Sequence, residues 1–199
     1  MKYAVGLLLF LAMVPVAAQV AEPVSLLLIQ GEKSFPVPIN GQAVGFSLYK
    51  ARQGLTVSAR LANGGGHAYG DAFLMRRIGP GTTDADEIAR VEFDLAYPFE
   101  GWVDLFAGVN LEAGEYWLVI AKPAAPAHSS INWVVAQPLS QEGTCLAGSY
   151  RSQSYTFQMD AAEYLPASKF ETKFEPYRFQ IEIREMRVPG EDPCKATIF

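Results

Sequence analysis

One stretch does most to limit the folds open to this chain: Leu111-Glu112-Ala113-Gly114-Glu115-Tyr116-Trp117-Leu118-Val119-Ile120-Ala121. Residues 114–121 hold two adjacent aromatics and a branched apolar run, opened by Gly114 and followed closely by Pro123. A bounded run of this kind reads as a strand buried on both faces, and its strong strand propensity places it at the centre of a sheet. The stretches before it (101–109) and after it (131–136) read as further strands.

The remainder follows the same pattern. An apolar run at 24–30 reads as the first strand, and Phe35-Pro36-Val37-Pro38-Ile39 alternates, with prolines that confine it to an edge or an extended connection. Asn40-Gly41 signals a turn, and strands follow at 46–50 and 55–61. A Gly-rich loop, Ala62-Asn63-Gly64-Gly65-Gly66-His67, leads to a strand at 72–78, which Gly79-Pro80-Gly81 breaks. Asp84-Ala85-Asp86-Glu87 suits a single helical turn with Thr83 as its cap and acids at its N-terminal end. Strands at 88–95 and 102–106 come next; strict alternation in the second turns Trp102, Asp104 and Phe106 to one face and Val103 and Leu105 to the other. After a strand at 154–159, the last long one, 177–184, alternates most cleanly, with Tyr177, Phe179, Ile181 and Ile183 facing a core.

No helix of normal length, internal repeat or low-complexity tract interrupts this series. With 17 Gly and 13 Pro to make tight turns, about ten short strands predict an all-β fold: an antiparallel β-sandwich of the jelly-roll kind, with a barrel as the alternative. The 199 residues suffice for one domain with a sizeable core. A formal charge of −5 argues against nucleic acid or anionic lipid as a partner, since both call for basic patches.

The first residues read as a targeting segment. Lys2 supplies a positive n-region, 5–14 an apolar h-region, and Val16-Ala17-Ala18 small residues where a signal peptidase cuts. The expectation is cleavage after Ala18, leaving residues 19–199 as a single β-sandwich domain with a C-terminal tail, secreted or periplasmic, with no membrane span once the leader is removed. In an oxidising compartment, Cys145 and Cys194, both among turn residues, are expected to form a disulfide. Closing a loop of roughly 50 residues contributes about 4 kcal/mol in the chain-entropy model.

Chemistry-bearing patterns are sparse. There is no Gly-x-Ser-x-Gly elbow, and the two histidines, His67 and His128, lie in Gly-, Ala- or Ser-rich loops with no partner named by the sequence. Zinc calls for three or four His or Cys at recurring spacing, which two dispersed histidines do not supply. Calcium needs only carboxylates and carbonyls, and Asp84, Asp86 and Glu87 are spaced for a structural calcium site. A solvated acidic turn accounts for the same residues, since no Asp-x-Asp-x-Asp-Gly loop is present. No other cofactor is expected. Glu92 and Asp94 alternate with Val91, Phe93 and Leu95, which turns both carboxylates to solvent.

Asp104 beside Trp102 is the combination that points to binding. Carbohydrate-binding sandwiches lay exposed aromatic rings against sugars while acids or amides bond the hydroxyls. Trp102, Asp104, Tyr69 and Tyr97 are the candidate ligand-binding residues, whereas Trp117 and Trp133 are expected to fill the core.

The layout Ile78-Gly79-Pro80-Gly81-Thr82-Thr83, then Ile88-Ala89, Trp102-Val103-Asp104-Leu105, Leu111-x-Ala113-Gly114-x-Tyr116-Trp117-Leu118-Val119 and Asn132-Trp133 resembles the choice-of-anchor β-sandwich domains of bacterial secreted proteins. The resemblance covers residues 35–183 and does not include the C-terminal sorting segment many of those domains carry. It implies an extracellular accessory role without catalytic residues. The expected function is a secreted, non-enzymatic bacterial module that binds carbohydrate or extracellular matrix, with a polysaccharide or another extracellular protein as its partner. The alternatives are a hydrolase acting on glycans and a structural subunit that associates through sheet edges.

Overall fold

The computed structural model describes residues 21–38, 41–122, 129–143, 154–157, 164–173 and 178–187. Its strands are β1 (Glu22–Pro38), β2 (Gly41–Leu48), β3 (Arg52–Asn63), β4 (Ala68–Met75), β5 (Glu87–Leu95), β6 (Phe99–Leu111), β7 (Gly114–Ala121), β8 (Ile131–Gly143), β9 (Ser154–Phe157), β10 (Phe170–Lys173), β11 (Arg178–Phe179) and β12 (Ile181–Arg187). They form two six-stranded sheets, a first of order β11-β8-β1-β12-β3-β6 and a second of order β10-β9-β2-β7-β4-β5. Every pairing is antiparallel. The protein is therefore an all-β sandwich. Residues 1–18, expected to be a leader, lie outside the described residues, as do His128, Cys145, Cys194, Tyr177 and the C-terminal residues 188–199.

β7 occupies the central position expected of it, between β2 and β4. Tyr116, Leu118 and Ile120 enter the core between the sheets, where Phe46, Leu74 and Ile183 meet them. Its other face, with Trp117 and Val119, forms a smaller cluster with Ala43, Phe73 and Met75, roofed by Tyr164 and Leu165. The expectation that Trp117 fills the main core is thus corrected. Its indole is half-buried on the outer face of the second sheet, and Trp133 is the tryptophan sealed inside, 0% exposed.

Two expected segments merge in β1. The run at 24–30 and the proline-bearing stretch after it are one strand, paired with β12 over residues 22–28 and with β8 over 27–38. Pro36 and Pro38 fall where β8 alone is the partner among the described residues, so their missing N–H groups interrupt no second ladder.

The last expected strand is divided instead. Arg178 and Phe179 run along β8, whereas Ile181–Arg184 run along β3. Gln180 is the point of exchange: its N–H donates to the Val134 carbonyl (2.9 Å) and its carbonyl accepts from the Arg60 N–H (3.2 Å). Its side chain, 1% exposed, donates to Ser34 Oγ (2.8 Å) and the Val135 carbonyl (3.2 Å), and accepts from Arg60 Nη1 (3.4 Å). The Trp133 indole N–H donates to the same Gln180 carbonyl (3.0 Å). A buried polar side chain is tolerated here because its hydrogen bonds are made.

β6 departs from strict alternation. Ser58 pairs with Asp104 but Val57 with Phe106, so two residues of β6 are passed for one of β3. This bulge buries Leu105 and Phe106 together. The expectation that Phe106 shares a face with Trp102 and Asp104 is corrected accordingly. A second register shift follows toward Val109, where Gly108 takes φ +74, a conformation open to glycine.

Candidate functional site

The outer face of the first sheet is built by alternation on three adjacent strands. On β3, Leu55, Val57, Ala59 and Leu61 turn inward, which sends Ser58 and Arg60 out. On β12, Ile181 and Ile183 turn inward and Glu182 and Arg184 outward. On β6, Glu100, Trp102 and Asp104 take the outward positions. Register then sets Arg60 opposite Trp102 and Ser58 opposite Asp104.

These side chains form a polar row of two hydrogen-bonded groups. Ser25 Oγ donates to Glu182 Oε1, and Arg184 bridges Glu182 Oε2 (3.2 Å) and Asp104 Oδ2. Ser58 Oγ donates to Asp104 Oδ1 (2.8 Å), and Arg60 Nη2 donates to Glu100 Oε1 (2.9 Å). Burial alone would lower the Arg184 pKa, but its hydrogen bonds and charge contacts with Asp104 and Glu182 outweigh that and raise it. Pairs this exposed contribute about 0–1 kcal/mol each to stability, so their main effect is to fix where carboxylate and guanidinium groups point.

Trp102 stands in this row with 37% of its surface exposed, a large apolar ring on an otherwise polar face. An indole flanked by planar donors and acceptors can bind a molecule that offers both an apolar face and hydroxyls. Of the four residues singled out from sequence, Trp102 and Asp104 come together here. Tyr69 does not join them. It lies on the outer face of the second sheet, opposite Asp94, stacked on His67 with ring centroids 5.4 Å apart and planes at 8°. Tyr97, 65% exposed, sits in the β5–β6 connection. The four residues do not share one face.

The acidic turn is assembled by internal contacts. Asp84–Asp86 forms the expected single helical turn, with the Thr83 N–H donating to Asp86 Oδ2 (3.0 Å). Glu87 Oε2 accepts from the Tyr164 hydroxyl (2.6 Å). Among the described residues, no three His, Cys, Asp or Glu side chains converge in a way that would hold a metal ion. Glu92 and Asp94 are exposed, as alternation requires. The buried carboxylate among the described residues is Glu185, 7% exposed and ion-paired with Arg52 (3.6 Å) and Arg187.

Arg60, Arg184, Glu182, Ser58 and Glu100 were not legible as site residues. Alternation turns Glu182 and Arg184 to solvent, but only strand pairing carries them to Asp104, 80 residues away in sequence from Arg184. No helix among the described residues is long and apolar enough to cross a membrane. Compared with protein-family models, curated proteins and solved structures, the chain matches none.

Proposed function

We propose that this chain is a secreted, non-enzymatic bacterial β-sandwich module of the choice-of-anchor kind, and that it binds carbohydrate, or glycan-bearing extracellular matrix, through the outer face of its first sheet. The observation that carries the reading is the exposed indole of Trp102 set among Arg60, Asp104 and Glu100. The exposed part of the indole offers an apolar surface to a sugar face, and the oriented carboxylate and guanidinium groups beside it suit hydroxyl recognition. The order β1-β12-β3-β6 facing β2-β7-β4-β5 supports a jelly-roll connectivity within the sandwich.

The test is retention of the folded, leader-free chain on immobilised polysaccharides, compared with Trp102→Ala. Weakened retention with little change in melting temperature supports the reading; equal retention overturns the role of Trp102. The same reading carries cleavage after Ala18 and a Cys145–Cys194 bridge. Intact-mass analysis of exported protein should begin at Gln19, and non-reducing peptide mapping should find the two cysteines linked. Exported protein retaining Met1, or two thiols open to labelling in oxidised protein, would sink those two points.

A further inference from the structure

Charge on the Trp102 face is arranged unequally in depth. Five ionised side chains make up the row: Glu100, Asp104 and Glu182 against Arg60 and Arg184, one net negative charge. The groups nearest solvent are acidic, with Asp104 and Glu100 side chains 50% and 45% exposed, whereas Arg60 and Arg184 are 32% and 23% exposed. Glu100 and Asp104 lie two residues to either side of Trp102 on β6, about 7 Å away along the strand at the rise of an extended chain.

Both guanidiniums are already paired. Arg184 spans Asp104 and Glu182, and Arg60 holds Glu100 while its other nitrogen reaches Gln180 Oε1. Gln180, buried at the strand exchange, bonds both the backbone and the side chain of Arg60, which makes it a positioning residue for this part of the face. Among the described residues of this row, a ligand carboxylate or sulfate over Trp102 would meet no uncompensated cation. At a guanidinium edge it would lie beside the protein carboxylate already paired there, and the like charges repel. It would also lie within about 7 Å of carboxylates on both sides, inside the roughly 8 Å screening length of physiological salt.

From this arrangement we infer that the glycan taken by the Trp102 face is uncharged, its hydroxyls bonded by the Glu100–Arg60 and Asp104–Arg184 pairs, and that uronate-bearing or sulfated chains are turned away. The inference rests on the carbohydrate reading above. Neutral hydroxyls both donate and accept, so they can bond the exposed carboxylate and the edge of its guanidinium without breaking either ion pair. Trp102 supplies the apolar surface against which a sugar ring lies.

The experiment is affinity electrophoresis of the leader-free chain in gels holding hydroxyethylcellulose, polygalacturonate or chitosan, at physiological salt. The expected result is retardation by hydroxyethylcellulose, weakened about tenfold in Trp102→Ala, with no retardation by polygalacturonate. The double variant Glu100→Gln/Asp104→Asn turns one net negative charge into one net positive charge and should gain retention by polygalacturonate. Its melting temperature confirms that it folds, since Arg184 keeps Glu182. Retention of the parent chain by polygalacturonate, or no gain in the folded double variant, overturns the charge filter and leaves the carbohydrate reading standing. Retention by chitosan exceeding that by hydroxyethylcellulose, and lost in Trp102→Ala, replaces the uncharged class with a cationic one. Retention by none of the three overturns both the inference and the reading beneath it.

Discussion

The indole of Trp117 lies directly over Gly45, its opposed partner on β2, so closely that a Cβ at Gly45 would stand 2.7 Å from the ring. The same device recurs on the inner face, where Gly70 lies opposite Phe93 and a Cβ would overlap that ring. In each pair an aromatic covers backbone that glycine leaves bare, which offsets the strand's loss of side-chain packing at that position. Trp117 also belongs to the apolar patch roofed by Tyr164 and Leu165.

Gly45→Ala should therefore destabilise by about 1–3 kcal/mol, because Trp117 must shift to admit the methyl group. In a Trp117→Ala background the same change should cost nothing or stabilise slightly, since alanine is the better strand residue by roughly 0.5–1 kcal/mol. Denaturant unfolding of the four proteins gives the coupling energy. Additive effects would mean the ring and the glycine do not depend on each other.

How much of this was legible follows from the range of each signal. The β7 run is local and its strand stands where the residues put it, whereas the alternation at 177–184 gave the inward residues Phe179, Ile181 and Ile183 but not the division into β11 and β12. Trp102 stands beside Gly101 at the start of the expected 102–106 strand, which favours exposure; the ring is 37% exposed although β6 begins earlier, at Phe99. Trp117 was misjudged because a run buried on both faces does not say which face meets the partner sheet and which meets a covering segment. Phe106 was misjudged because the bulge depends on how β6 runs against β3, a relation no single strand carries. The Arg60, Arg184 and Asp104 assembly needs the register of three strands distant in sequence, so composition and periodicity were silent on it.

The three tryptophans should separate packing from binding. Trp133 is fully enclosed and its N–H is bonded, so Trp133→Ala should cost about 3–5 kcal/mol. Trp117→Ala, at a half-buried site, should cost less, and Trp102→Ala least of all. Only the last should weaken retention on a polysaccharide. Equal destabilisation by Trp102→Ala and Trp133→Ala, read from denaturation midpoints, would place Trp102 in the core and remove the proposed sugar face.

Tyr164 gives the roof over Phe73 a dependence on alkaline pH. Burial is the largest cause of its raised pKa, and the hydrogen bond to Glu87 and that carboxylate's charge add to it. A phenol whose folded pKa lies above its ordinary 10.0 contributes stability in full below pH 10, which is lost as pH rises toward the folded value. Tyr164→Phe should lower the melting temperature at pH 8, where a hydrogen bond to a charged group is removed, by roughly 1.5–3 kcal/mol in stability. Above pH 10 the gap between the two proteins should narrow, because the variant has no phenol to titrate there. Tyr116, also raised by burial, remains in both and does not affect the comparison. A gap that stays constant from pH 8 to 12 would show that Tyr164 titrates alike in folded and unfolded chains.

Gln180 joins the fold to the candidate site, and its side chain can be tested apart from its backbone. Gln180→Leu keeps the backbone bonds to Val134 and Arg60 but removes the two donated to Ser34 and Val135 and the one accepted from Arg60. Ser34 is exposed and can turn to water, whereas the buried Val135 carbonyl loses that side-chain donor. The expected cost is about 1–3 kcal/mol, the penalty of weakening a buried polar site. Because the side chain pins the point where one strand leaves β8 and joins β3, amide exchange should quicken at Gln180 and Arg60 before it quickens in β7. Loss of the Arg60 contact should also weaken glycan retention, though less than Trp102→Ala, since Arg60 keeps Glu100. Unchanged exchange at those two amides would show that pairing alone sets the exchange of partners, and the buried amide would then be a consequence of the fold rather than one of its causes.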